Sequence, residues 1–221
     1  MGSGGGHPEL DWAAQRRSMV LHQLRGRGLR DLQVLEAMGR IPREEFVPAS
    51  QRAAAYEDRA LPVGPGETIS QPFIVAYMTE KLMLVPGHSV LEIGGGTGYQ
   101  TALLSMLGAR VVSVESDPIL VHEAGERLNR LGIRGIRLVC GDGSTGWPEF
   151  APYDRILVTA GAPCVPAALV AQLADGGRMI LPVGPVTEQT LVCVVRRRGG
   201  TTEYPLLGCR FVKLVGEQGW R

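Results

Sequence analysis

The chain has 221 residues, 44% of them hydrophobic and 20% charged, with a formal net charge of +1. That length and composition suit one globular domain with a substantial core. The near-neutral balance speaks against a nucleic-acid or membrane-surface protein, and no apolar run approaches the roughly 20 residues of a membrane-spanning helix.

The first residues, Met1-Gly2-Ser3-Gly4-Gly5-Gly6, lack the apolar core of a signal peptide, so residues 1–8 read as flexible and the protein as cytoplasmic. Residues 10–24 carry apolar side chains at roughly helical spacing, and Arg25-Gly26-Arg27-Gly28 ends them. Asp31 is placed to cap a second helix over 32–38, which Ile41-Pro42 stops, and Arg43 opens a short third segment. These helices precede any strand, so they predict a cap packed on a sheet. From 54 to 72 neither the helical nor the strand period appears, and a loop this long inside a domain is often functional. Residues 73–84 then read as a helix with Pro72 at its start. Thr68 and Ser70 therefore sit at a helix N-terminus, where Ser70 is either a simple cap or part of an anion site.

Residues 86–221 read as an alternating series of strands and helices. The first strand, 90–93, carries Glu92 and breaks into Gly94-Gly95-Gly96-Thr97-Gly98-Tyr99, and a helix over 101–107 follows. Glycines at a strand-to-helix turn let the backbone approach a ligand closely. The dinucleotide fingerprint is G-x-G-x-x-G, but here Tyr99 occupies the place of its third glycine. The register suits a nucleoside without phosphates, such as S-adenosylmethionine, or a tight turn with no ligand. Glu115 ends a second strand, 110–114, where a carboxylate can accept both hydroxyls of a ribose or can simply begin the helix over 118–131. After a third strand, 136–140, Gly141-Asp142-Gly143 can lie against a flat ring while Asp142 accepts from an amine, or can be a plain turn. A strand over 153–160, a helix over 166–173 and a strand over 178–182 follow. Closing strands are expected at 191–197 and near 211–214. Cys140, Cys164, Cys193 and Cys209 are too scattered for a metal site and read as reduced thiols, and the four histidines form no hydrolase triad.

Several segments together carry a specific likeness: Phe46-Val47-Pro48, Thr68-Ile69-Ser70-Gln71-Pro72, the glycine turn, Gly141-Asp142-Gly143, Trp147-Pro148, Leu181-Pro182-Val183-Gly184 and Phe211-Val212. From Arg43 onward the chain resembles the protein-L-isoaspartate (D-aspartate) O-methyltransferase family. The resemblance implies a single α/β domain over 1–221. Its core would be a Rossmann-like class I S-adenosylmethionine-dependent methyltransferase sheet (86–221) with helices on both faces. An N-terminal helical cap with the active-site loop (9–85) and a C-terminal antiparallel edge would be added to it. It also implies methylation of the α-carboxylate of L-isoaspartyl residues in damaged proteins and peptides, with S-adenosyl-L-homocysteine as product and a succinimide as the route to repair. Carried over by position, Ser70 is the catalytic hydroxyl. Thr68, Ile69, Glu92, Gly94, Gly96, Gly98, Glu115, Asp142, Gly143 and Thr159 would bind cofactor. Leu61, Val63, Lys213, Leu214 and Val215 would join Ser70 in binding substrate. No nucleic acid, membrane or metal is expected, and the protein should be a monomer.

The carboxylate to be methylated is already ionised at neutral pH, so no catalytic base is needed. Two positions depart from the family pattern: Gly95 stands where Thr or Ser is usual, and Lys213 where Pro is usual. The rival readings are a relative that methylates a dedicated partner peptide, a cofactor-binding protein without catalysis, and a nicotinamide oxidoreductase.

Overall fold

The computed structural model describes residues 11–221, so the glycine-rich start, with its expected flexibility, and Leu10 lie outside the described residues. Helix α1 (Trp12–Ser18) is capped by the Asp11 carboxylate and passes directly into a wider turn over Met19–Leu24. The expected helix over 10–24 is thus present but changes its winding. Helix α2 (Leu32–Arg40) begins at Asp31, whose side chain accepts from the N–H groups of Gln33 and Val34. The cap at Asp31 is the one expected, whereas Asp11 caps a helix that was expected to begin one residue earlier.

A polar hub joins this region. The Tyr56 hydroxyl accepts from Arg16 Nε at 2.8 Å and from the Arg43 N–H at 3.2 Å, and donates to the Glu44 carboxylate. Arg16 also pairs with Glu44 at 2.9 Å. The segment expected to be a plain loop contains a hairpin, β1 (Leu61–Gly64) and β2 (Glu67–Ile69), with Leu61 opposite Ile69 and a bulge between Pro62 and Gly64. Strands this short and bulged leave no period to read. Helix α3 (Pro72–Leu82) follows, with Pro72 at its first position.

The sheet contains β3 (Ser89–Ile93), β4 (Arg110–Glu115), β5 (Ile136–Cys140), β6 (Tyr153–Val158), β7 (Leu173–Val183), β8 (Gln189–Arg197) and β9 (Gly200–Cys209). Their order is β5-β4-β3-β6-β7-β8-β9, parallel from β5 through β7, with β8 antiparallel to both of its neighbours. Helices α4 (Tyr99–Met106), α5 (Pro118–Arg130) and α6 (Ala167–Gln172) connect the parallel strands. The central strands are mostly apolar because both of their faces are covered, and Glu92 and Ser113 are buried polar exceptions within them. Along β3 the side chains alternate: Val90 packs with Met78, Leu82 and Leu104, whereas Leu91 and Ile93 join the core of Ile156, Val158 and Leu169 on the other face.

The closing strand expected near 211–214 is not part of the sheet. The last strand is β9, and 211–214 is an irregular segment joined to the chain after β6 by a bridge between Lys213 and Gly161 and to β8 by the Phe211 N–H on the Gln189 side chain. Residues 201–205 of β9 are exposed, so this edge strand shows no apolar face in the sequence.

The chain leaves β3 toward β4 on one side, while β6 lies on the other, which makes the C-terminal ends of β3 and β6 a topological switch point. The turn that opens there needs glycine at 98: its φ is +85°, and a Cβ would lie 3.3 Å from Ala124 and Leu128 of α5. Replacing Gly98 by Ala should destabilise the fold by about 1–3 kcal/mol, read from urea denaturation, because the left-handed backbone and the tight packing both oppose a methyl group. A loss below about 0.5 kcal/mol would show that the turn relaxes freely.

Candidate active site

A cleft of about 1030 Å³, counting the space at its mouth, opens above the switch point. Thr68, Ile69 and Ser70 reach it from the end of the hairpin, Gly94, Gly95, Gly96 and Thr97 from the turn after β3, and Glu115 and Ser116 from the end of β4. Gly143, Thr159, Ala160 and Val212, Lys213, Leu214 and Val215 also line it. Segments far apart in the chain therefore meet in one place. Ser70 is half-buried, and among the described residues its hydroxyl has no hydrogen-bond partner.

The turn is stitched to β6 by Thr159. Its hydroxyl lies 2.9 Å from the Ile93 carbonyl and 2.6 Å from that of Gly94, and a Cβ at Gly94 would fall 2.5 Å from Thr159 Oγ1. Gly94 and Gly96 have φ of +85° and +50°. The Gly96 N–H donates to Glu115 Oε2 at 3.0 Å, and Glu115 Oε1 accepts from the N–H groups of Ser116 and Asp117 at 2.6 and 3.2 Å. The Ser116 hydroxyl also reaches Oε1 at 3.1 Å, so three of the four donors that fix this carboxylate at the rim fall on Oε1 and Oε2 is the freer oxygen. At Gly143 a Cβ would meet Ile93 Cγ2 at 2.5 Å, so a flat backbone surface is enforced there.

Glu92 lies behind the turn, fully buried and outside the cleft lining. One oxygen accepts from the Thr101 hydroxyl at 2.5 Å, and the other, Oε1, has no partner. Burial pushes its carboxyl up to about 7 against the pull of the Thr101 and Ser113 hydroxyls. Gly95 has a local explanation in the same place: a Cβ there would lie 2.5 Å from Ser113 Oγ, so the Ser113 hydroxyl occupies the space a side chain at 95 would need.

Other expected site residues lie elsewhere. Gly98 packs against α5, Leu61 is fully buried, and Val63 stands on β1 outside the lining. Asp142 is also outside it, and its carboxylate faces the C-terminal segment. Oδ1 accepts from the Ser144 N–H and hydroxyl at 2.8 and 2.7 Å, and Oδ2 from the Glu217 N–H at 2.8 Å. Burial works against its charge, but these donors outweigh it and hold the carboxyl below the usual range. Glu67, Tyr99, Gln100 and Val212 also line the cleft, although the sequence assigned none of them a role there. Burial raises the Glu67 carboxyl, helped by Glu115 and Asp117. Tyr99 could have been found, since it fills the third-glycine place, whereas Glu67 belongs to the segment without a period.

The sequence model of the family described as protein-L-isoaspartate (D-aspartate) O-methyltransferase matches residues 15–219. The chain belongs to this family. Among proteins of the protein-L-isoaspartate O-methyltransferase family, one from Methanoculleus marisnigri is 52% identical over 207 residues, covering 94% of either chain. Another, from Marinobacter nauticus, is 51% identical over 209 residues, covering 93% of this chain and 94% of its own. A solved protein-L-isoaspartate O-methyltransferase superposes with a TM-score of 0.84 at 36% identity, over 92% of this chain and 67% of the other. A Plasmodium falciparum structure assigned to the same activity, in complex with S-adenosyl-L-homocysteine, gives a TM-score of 0.79 at 25% identity, over 90% of this chain and 98% of the other. The seven-stranded, mostly parallel sheet is the Rossmann-like methyltransferase fold expected. Among the described residues no helix is long and apolar enough to cross a membrane.

The raised Glu92 carboxyl sets a pH dependence. The unfolded chain gives up this proton near pH 4.5 while the folded chain holds it to about 7. Its contribution to stability is therefore lost as pH rises between those values and is constant above them. Glu92→Gln should remove that slope and leave the variant more stable than the parent at pH 8 by on the order of 3 kcal/mol. Denaturation of both proteins from pH 5 to pH 8 reads this directly, and parallel curves would refute a raised carboxyl.

Proposed function

We propose that Ser70 orients the substrate carboxylate in this cleft, and that Gly94, Gly96, Gly143 and Glu115 hold the cofactor beside it. The reaction is S-adenosyl-L-methionine-dependent methylation of the α-carboxylate of L-isoaspartyl residues in damaged proteins and peptides, which starts their repair through a succinimide. The observation that carries the residue assignment is that Ser70 and the glycine turn line the same cleft.

The residues present fit the cofactor. Gly94 and Gly96 offer backbone free of side chains, Gly143 a flat surface for a purine, and Glu115 a fixed acceptor for ribose hydroxyls. Thr68 and Ile69 close the side from which Ser70 projects, and Thr159 holds the turn in shape. In this reading Glu92 and Gly98 support the turn from behind, and Asp142 fixes the backbone beside Gly143. When bound, S-adenosyl-L-methionine supplies an electrophilic methyl group on a sulfonium.

The chain's own task is positioning. The substrate arrives as a carboxylate at neutral pH, so no side chain has to remove a proton. The Ser70 hydroxyl donates to one carboxylate oxygen and leaves the other free, and the buried surfaces of Ile69 and Leu214 keep water away. Lys213 lies exposed at the rim, with its Nζ 5.9 Å from the centre of the Trp220 ring, and gives the substrate end of the cleft a positive charge. Leu214 and Val215 beside it offer apolar surface to the peptide.

Ser70→Ala should lower kcat for an isoaspartyl peptide roughly 10- to 100-fold while calorimetry finds S-adenosyl-L-homocysteine bound as before. Parallel loss of binding would make Ser70 a structural cap. Glu115→Ala should do the opposite, weakening S-adenosyl-L-homocysteine about 10-fold or more through the loss of charged hydrogen bonds. Turnover by that variant should recover at saturating cofactor. A matching aspartyl peptide, which should stay unmethylated, is the control for both.

A further inference from the structure

Arg43 is the one lysine or arginine among the described residues that is fully buried. No carboxylate of the described residues forms an ion pair with it; its neighbour Glu44 pairs instead with Arg16. Its Nε donates to the Ala55 carbonyl at 2.7 Å and its Nη2 to the Ser70 carbonyl at 2.8 Å, while Nη1 is buried without a hydrogen-bond partner. The guanidinium carbon lies 4.9 Å from the centre of the Tyr99 ring, and both Tyr99 and Ser70 line the cleft. Burial lowers the Arg43 pKa, and the offsetting influences come first from Tyr99 and then from Tyr56.

An unpaired buried cation is costly, and a core that needed only volume would be served as well by an apolar side chain. The fork of Arg43 does what such a side chain cannot. It ties residue 55 to residue 70 across the whole hairpin segment, and its charge lies behind a cleft wall where solvent screens it little.

We propose that Arg43 is a positioning residue for the carboxyl methylation. Through the Ser70 carbonyl it fixes where the Ser70 hydroxyl points, and its unpaired charge favours a carboxylate on the cleft side of that wall. This rests on the assignment of Ser70 made above.

The test compares Arg43→Lys and Arg43→Gln with the parent, measuring kcat and KM for an isoaspartyl peptide, S-adenosyl-L-homocysteine affinity by calorimetry, and melting temperature. Lysine keeps the charge but cannot span both carbonyls, so kcat should fall roughly 10- to 100-fold while KM and cofactor affinity stay within about twofold. Glutamine keeps donors without the charge, so the peptide KM should rise about 10-fold. Ser70→Ala should cost less in the Arg43→Lys background than in the parent, since the two residues act through one contact. The inference is overturned if both variants keep the parent kcat/KM, if activity and cofactor affinity fall together, or if neither variant folds. An inactive parent would overturn the function as well, whereas an active parent with unimpaired variants overturns this inference alone.

Discussion

Everything at the cleft depends on how two neighbouring strands are kept in register after they stop pairing. Beyond Ile93 and Val158 the chain of β3 turns away into α4, and the gap this leaves is the cleft. Thr159 bridges it: its N–H and its hydroxyl both reach the Ile93 carbonyl, and the hydroxyl also lies against the Gly94 carbonyl. The glycines after β3 are free to adopt left-handed backbone, but freedom alone would make a loose turn. Thr159, Glu115 and the buried network of Glu92, Thr101 and Ser113 hold it from three sides.

Two fully buried ionisable groups stand out because neither is neutralised by a partner of opposite charge. Glu92 escapes the cost by keeping its proton to about neutral pH. An arginine cannot lose its proton in this way, so Arg43 spreads its charge over two carbonyls and an aromatic face. The contrast explains why the first sits quietly behind the turn and the second is tied into the wall that carries Ser70.

The parallel half of the fold was legible because its signals are local and periodic. Apolar runs leading to Glu92 and Glu115, the glycine turn, the cap at Asp31 and the helix start at Pro72 each follow from one segment's own chemistry. The hairpin at 61–69 was not legible, since a bulge in so short a pair erases its alternation. β9 was missed because an exposed edge strand has no buried face to betray it. That Ser70, Glu115 and Gly143 would line one cleft was readable from motif and position. The places of Asp142 and Glu67 were not, because each is set by a contact far along the chain: Asp142 meets Glu217, and Glu67 faces the end of β4.

The contact of Asp142 with the Glu217 N–H bears on the order in which the cleft can be assembled. Gly216 approaches so closely that a Cβ would overlap the Asp142 carboxylate, and Trp220 Nε1 reaches the Gly161 carbonyl at 2.9 Å. Residues 212–220 thus close the cleft against loops that follow β5 and β6, yet they come after every strand of the sheet. The wall is therefore fastened by side chains and turn backbone, through Asp142, Ser144 and Gly161, and not by strand pairing across the sheet. Its position can shift without unpairing any strand, so this side of the cleft can be retuned in shape while the scaffold beneath it stays the same.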